Sequence, residues 1–245
     1  MKFPKTMIKH RLARSKKEYH CYACGGSEYY VSQVVWKELI REWQLSPSEA
    51  EAINLQQGMK CKSCHTHMRG NVLALAILNC LGSDVFSLAE LVNNNTEEAH
   101  KIRILEINEA GNLGSYLSRF AHHQRVDYPT IDMHNLDSIG QQYDLIIHSD
   151  TLEHISNPVH ALSECRNILA NNGYLIYTVP VVPGRLTRDR SGLPSSSHSR
   201  DSRDDYHVAT EFGADFWRYP VEAGFQNVQL FSLFYPVALA IAAHK

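Results

Sequence analysis

Long apolar runs are missing from this sequence. The longest, Val72 to Leu81, is interrupted by Asn79 and reaches about half the length a membrane-crossing helix needs. That excludes a helical membrane span. An apolar h-region is missing as well: Met1 to His20 is basic but carries no such core, so no secretory signal is expected and the cytoplasm is the expected location. Glycine and proline are modest, 13 and 9 in 245 residues, which excludes collagen-like and low-complexity readings. With 44% hydrophobic and 20% charged residues, the composition is that of an ordinary globular chain, long enough for one large domain or one domain with a small attachment.

A large excess of one charge is also absent, since 24 Lys and Arg face 26 Asp and Glu. The balance hides an asymmetry. Residues 1–70 hold 12 Lys and Arg against 6 Asp and Glu, whereas 71–245 hold 12 against 20. A basic head of this kind suits an anionic partner such as nucleic acid; the plainer reading is a solvated tail folded against an acidic body.

Of the six cysteines, four form two pairs, Cys21-x-x-Cys24 and Cys61-x-x-Cys64. Each short turn brings two thiolates to one side, and two such turns facing one another complete the tetrahedron that Zn2+ prefers. Disulfides are the competing reading, disfavoured in a reducing compartment. His65 and His67 adjoin the second pair as substitute ligands or surface residues. Between the pairs, Tyr29 to Val31 reads as a strand, and a helical stretch follows with Trp36, Leu39, Ile40 and Trp43. Ser46-Pro47-Ser48-Glu49 reads as a capping box that opens a helix ending at Gly58. The zinc is expected to be structural, because four thiolates leave no open coordination position.

Met68 to Val92 carries a broad apolar stripe and reads as a buried helix joining two modules. The expected organisation is a basic tail and zinc-ribbon-like module over 1–70, a linker helix over 71–98 and a larger domain over 99–245. From Lys101 onward short apolar runs alternate with helical segments, the pattern of an α/β sheet. Strands are expected at Lys101–Ile107, Asp144–His148 and Tyr174–Val179, with helices at Leu113–His122 and Pro158–Ala170, the latter capped by Asn157 and closed by Gly173. A helix within Thr210–Ala223 and two apolar runs, Val228–Phe234 and Val237–Ala243, point to a closing antiparallel hairpin. No G-x-G-x-x-G follows the first strand, which argues against a nicotinamide-dependent oxidoreductase.

The first strand ends in Glu106-Ile107-Asn108-Glu109-Ala110-Gly111-Asn112-Leu113-Gly114. Further on stand Asp144-Leu145-Ile146-Ile147-His148-Ser149-Asp150-Thr151-Leu152-Glu153-His154, Asn157-Pro158 and Asn172-Gly173-Tyr174-Leu175. Together these resemble the first and fourth motifs of class I S-adenosylmethionine-dependent methyltransferases. The resemblance implies a Rossmann-like sheet with a terminal antiparallel hairpin and S-adenosylmethionine as methyl donor. Asn108, Ala110 and Asn112 stand where the family has glycine. It implies that Glu106 holds the first loop, that Asn108 to Gly111 line the cofactor and that Asp127 receives the ribose hydroxyls. Asp132, Met133 and Leu136 would take the adenine, and Ser149 and Asp150 would lie beside the methyl group. His154, His198 and His207 are the candidate bases. The segment Val182 to His207 is expected to be a lid whose Arg185, Arg188, Arg190, Arg200 and Arg203 suit an anionic acceptor. The acceptor is otherwise open, with a small molecule or glycan favoured. The alternative reading is a zinc-ribbon nucleic-acid-binding protein whose α/β domain is degenerate and inactive.

Overall fold

A computed structural model describes residues 20–94, 101–193 and 207–245. The amino-terminal part contains strand β1 (Tyr29–Val31), helices α1 (Lys37–Glu42) and α2 (Pro47–Gly58), and strand β2 (Met59–Cys61). β1 and β2 pair antiparallel, Tyr29 opposite Cys61 and Val31 opposite Met59. The capping box forms as expected: Glu49 N–H donates to Ser46 Oγ (3.3 Å) and Ser46 N–H donates to Glu49 Oε2 (2.8 Å). The stretch expected as one linker helix is two, α3 (Met68–Cys80) and α4 (Leu88–Asn94), separated by a turn through Gly82 at φ 61°.

The sheet has six strands: β3 (Arg103–Ile107), β4 (His122–Val126), β5 (Tyr143–Ser149), β6 (Leu169–Thr178), β9 (Asn227–Leu233) and β10 (Ala238–His244), in the order β4-β3-β5-β6-β10-β9. The first four are parallel, and β10 runs antiparallel to both β6 and β9, forming the expected hairpin. A two-residue pair, β7 (Arg188–Asp189) and β8 (Thr210–Glu211), lies outside the sheet.

Two further expectations change. The helix expected at Leu113–His122 is only α5 (Gly114–Leu117), and the chain returns as edge strand β4. That strand reads His-His-Gln-Arg-Val and is largely exposed, so no apolar run announces it. Helix α6 (Pro158–Ile168) is capped by Asn157 as expected, but runs directly into β6. Gly173 lies within that strand, beside the irregular pairing of Tyr143 and Leu145, where a Cβ would press on the Tyr143 and Asp144 carbonyls. The helix expected within Thr210–Ala223 is present as the short α7 (Arg218–Glu222), preceded by β8.

Residues of the parallel strands β3, β5 and β6 are buried on both faces, as helix-covered sheets require. Ile104, Leu145, Ile147 and Ile176 pack with Val72, Leu73, Ala76 and Ile77 of α3, and Cys21 and Ala23 belong to the same cluster. Leu105, Ile146 and Leu175 pack with Ala161, Leu162 and Cys165 of α6 on the other face. A third cluster joins Val35, Leu39, Trp43, Leu45 and Ile53 to Val182 and Val208. The segment 71–98 therefore supplies, through α3, the cover of one sheet face, and the cysteine-bearing module shares its core.

Candidate active site and four-cysteine centre

The chain turns from β3 to β4 on one side and returns to β5 on the other, so the carboxyl ends of β3 and β5 diverge at a switch point where ligands commonly bind. A cavity of about 850 Å3 opens there, large enough for a cofactor. It is lined from the end of β3 by Ile107, Asn108 and Glu109, and from β4 by Arg125, Asp127 and Tyr128. Asp132, Met133 and His134 add a third wall, and Ser149, Asp150, Thr151 and His154 close it from β5.

Asn108 holds this arrangement together. Its backbone lies at φ 57°, in the left-handed region that asparagine tolerates better than most residues, and Asn112 repeats the feature at φ 63°. The Asn108 amide donates to Thr151 Oγ1 (3.1 Å), its carbonyl oxygen accepts from Tyr128 N–H (3.1 Å), and its N–H donates to Val126 O (2.8 Å). One residue thus ties together the ends of three strands.

The other expected cofactor residues divide. Asp127 lies on the cavity rim in a bidentate pair with Arg125 (2.8 and 3.2 Å). Asp132 also lines the cavity and accepts from the backbone and ring nitrogens of His134, both at 2.9 Å, which hold its carboxyl below the usual range. Met133 is nearly buried in the wall, while Leu136 is fully buried in the core behind it. Ser149 is pinned to Thr178 by a 2.8 Å hydroxyl pair. Glu106 and Gly111 do not line the cavity. Glu106 is fully buried beneath the loop, accepting from Ala110 N–H (3.0 Å) and from His123 Nε2 (2.8 Å). Gly111, at φ 62°, packs against Gly70 of α3.

Of the candidate bases, His154 lines the cavity and its Nδ1 meets the His207 carbonyl at 2.9 Å. His207 is thus brought near through its backbone. His198 lies outside the described residues, as do Arg200 and Arg203.

Two buried residues beside the cavity, outside its lining, were not singled out in sequence. Arg69, in the first turn of α3, is buried and donates from Nη2 to Asp150 Oδ2 at 2.7 Å. A cation at the head of an apolar helix gives no sign in sequence that it reaches a strand end. Glu153 is 1% exposed, its carboxylate oxygens have no hydrogen-bond partner, and the His154 ring lies 3.7 Å away. Burial, and secondarily the charge of Asp150, push its carboxyl up to about 8. Its place in the Leu-Glu-His motif is the one signal that could have found it. His148, fully buried and stacked on Tyr177 at 4.8 Å, is pushed down to about 3 by burial, so it is neutral.

The arginines expected to face an anionic acceptor are otherwise engaged. Arg185 pairs with Glu49 (2.8 Å) and Glu211 (3.0 Å) and donates to the carbonyls of Trp43 and Gln44. Arg188 and Arg190 also pair with Glu211, at 3.0 and 2.6 Å, and Arg190 lies over the Trp43 ring. A buried carboxylate draws these side chains inward, and they clamp α2 to the segment after β6. Described residues 182–193 therefore present this clamp where the sequence suggested an open basic lid.

The sulfur atoms of Cys21, Cys24, Cys61 and Cys64 all lie within 4.8 Å of one another, and the Cys21–Cys64 and Cys24–Cys61 pairs are at 3.6 Å. All four are free of disulfides. A zinc tetrahedron with bonds of about 2.3 Å has edges of roughly 3.8 Å, so the donor set fits that ion. His67 is an N-cap, its Nδ1 accepting from Gly70 N–H at 3.1 Å; burial and the charge of Arg69 lower its ring to about 4.

Residues 82–175 match the family model described as a methyltransferase domain. No curated protein matches the chain. Among solved structures, the CurJ carbon methyltransferase is 17% identical with a TM-score of 0.40, covering 84% of this chain and 69% of its own. An S-adenosylmethionine-dependent methyltransferase from Thermotoga maritima is 18% identical, TM-score 0.37, covering 71% of this chain and 91% of its own. An O-methyltransferase family protein from Burkholderia thailandensis is 10% identical, TM-score 0.41, covering 96% and 66%. The match to a methyltransferase domain thus takes in β3 through the first half of β6, with the cavity at the switch point of that sheet.

Proposed function

We propose that this protein transfers a methyl group from S-adenosylmethionine, bound in the β3–β5 cavity, to a nucleophile admitted beside Asp150 and His154. The observation that carries the reading is a cofactor-sized, acid-lined cavity at the switch point of a sheet matching the methyltransferase model. Asp132 and Met133 would face the adenine and Asp127, steadied by Arg125, the ribose. A carboxylate suits that role because it accepts two hydroxyl donors at once. Asn108 would shape the loop that receives the methionine end. Glu106 supports this loop from below, and Gly111 rests it on Gly70.

When bound, the cofactor supplies an electrophilic methyl group on a sulfonium. The displacement is in-line, so alignment is the main requirement, and a base is needed only where the acceptor must lose a proton. His154 fits the role of that base, because with Nδ1–H donated to the His207 carbonyl the neutral ring keeps its lone pair on Nε2. A small-molecule or glycan hydroxyl is the acceptor class that such a base serves. The four cysteines would hold a structural zinc ion.

The alternative, a zinc-ribbon nucleic-acid-binding protein with an inactive domain, rested on the basic amino-terminal residues and on missing glycines in the first loop. Asn108 and Asn112 adopt the left-handed conformation that glycine would otherwise supply, which removes the second ground. Calorimetric titration of zinc-quantified protein with S-adenosylmethionine, S-adenosylhomocysteine and NAD tests the proposal. Binding of the first two, weakened roughly tenfold in Asp132→Ala, supports it; preference for NAD, or no binding, refutes it.

A further inference from the structure

The amino-terminal module touches the methyltransferase site at two points. Arg69 and Gly70 follow the second cysteine pair by five and six residues, in the turn that begins α3. Arg69 reaches Asp150 at the end of β5. Gly70 packs backbone to backbone on Gly111: a Cβ at Gly70 would collide with the Gly111 carbonyl, and one at Gly111 would come within 2.9 Å of Gly70 Cα. Tyr116, in α5 directly after the cofactor loop, packs against the same apolar cluster as Cys64. The first cysteine pair is fastened to the same helix, since Tyr22 N–H donates to Asn71 Oδ1 (2.6 Å) and the Asn71 amide donates to Tyr29 Oη (3.0 Å).

Both walls of the switch point therefore lean on the element that leaves the cysteine centre. The loop 108–113 rests on Gly70, and Asp150 rests on Arg69. Asp150 lies at φ 52°, a conformation unfavourable for most side chains, and its ion pair with a buried guanidinium restrains it there.

We propose that the four-cysteine centre is a positioning element of the methyltransferase site: Gly70 seats the cofactor loop, Arg69 orients Asp150, and metal held by the cysteines fixes both. This rests on the methyl-transfer reading for its consequence, but the mechanical coupling is measurable by itself. Opening the cysteine centre releases the first turn of α3, and the loop and Asp150 lose their restraints together.

The experiment uses the full chain in three forms: wild type loaded with zinc, wild type stripped by chelator, and zinc-loaded Gly70→Ala. Amide exchange over 108–116 and 149–151 reports the coupling, and calorimetry with S-adenosylhomocysteine reports its consequence. In Gly70→Ala, exchange over 108–116 should rise while zinc content stays at that of wild type, and affinity should fall roughly tenfold or more, as misplacement on the ångström scale commonly causes. Stripping should raise exchange over both segments, and restoring zinc should reverse it. Exchange over 108–116 unchanged in both the variant and the stripped protein overturns the proposal, whatever the affinities. Raised exchange in a wild type that never binds the nucleoside leaves the coupling standing and removes the methyl-transfer reading instead.

Discussion

Asn108 carries two burdens that separate cleanly on substitution, a left-handed backbone and two side-chain hydrogen bonds. Asn108→Gly relieves the first and loses the second, whereas Asn108→Ala keeps the strain and loses the bonds. Urea unfolding should show the alanine variant destabilised by about 1–3 kcal/mol and the glycine variant by less. Equal losses would mean that the backbone contributes nothing. Glu153 gives a pH test. Its carboxyl titrates near 4.3 when unfolded and is raised to about 8 by burial, so folding takes up a proton between those values. The stability tied to its neutral form is present at low pH and is lost as pH rises through about 8. The neutral rings of His67 and His148 act in the opposite sense, losing stability as pH falls below about 6.5, so only a comparison of variants isolates Glu153. Glu153→Gln should melt above wild type at pH values near 8 and approach it towards pH 5, read from thermal midpoints across that range; a constant offset would rule the assignment out. Of these residues, Asn108 was legible from its place in a loop motif. Arg69 was not, because partnership across distant elements leaves no local pattern, and the Leu-Glu-His motif that holds Glu153 carries no sign of its burial.

Elements whose start and stop signals lie in their own sequence were readable in advance. Ser46-Pro47-Ser48-Glu49 announced α2 and Asn157-Pro158 announced α6, since caps satisfy local backbone groups by local chemistry. Edge strand β4 and the shortness of α5 were not readable, because a polar edge strand is held by its neighbour's ladder and carries no periodic signal. The arginines after β6 misled for a related reason: composition shows the charge, while only the fold shows Glu49 and Glu211 meeting it. The docking of α2 rests on that meeting. Arg185→Met would leave Glu49 and the fully buried Glu211 short of one partner each, so a loss of about 2 kcal/mol is expected, moderated by Arg188 and Arg190. The hydrogen bond from Arg185 lowers the Glu49 carboxyl to about 2, and the stability this supplies is present above the unfolded value near 4.3 and lost as pH falls towards 2. Wild type should therefore lose stability through that acid range more steeply than Arg185→Met, measured by urea unfolding at successive pH values. Parallel curves would place the clamp elsewhere.

At the scale of the whole molecule, the question is whether the cysteine module and the sheet unfold together. Cys21, Ala23, Met59 and Cys61 belong to the same apolar cluster as α3 and the strands beneath it, and a second cluster joins α1 and α2 to Val182 and Val208. A small unit that cannot bury enough surface alone borrows stability from metal and from its neighbour. Here the neighbour borrows in return, since α3 covers one face of the sheet and starts at the cysteine centre. Calorimetry of the zinc-loaded chain should accordingly give one transition, with van't Hoff and calorimetric enthalpies in agreement. Ligand binding to the native state alone raises stability by RT ln(1 + [L]/Kd), so removing zinc should lower the midpoint of that same transition. An independent module would behave differently: stripping would abolish an early, small transition and leave the main one in place. A single peak that moves as a whole on chelation, and returns on adding zinc, would establish that the metal stabilises the sheet through α3. Two peaks, of which only the smaller responds, would make the module a separate attachment and weaken every contact argued to run from it to the cofactor loop.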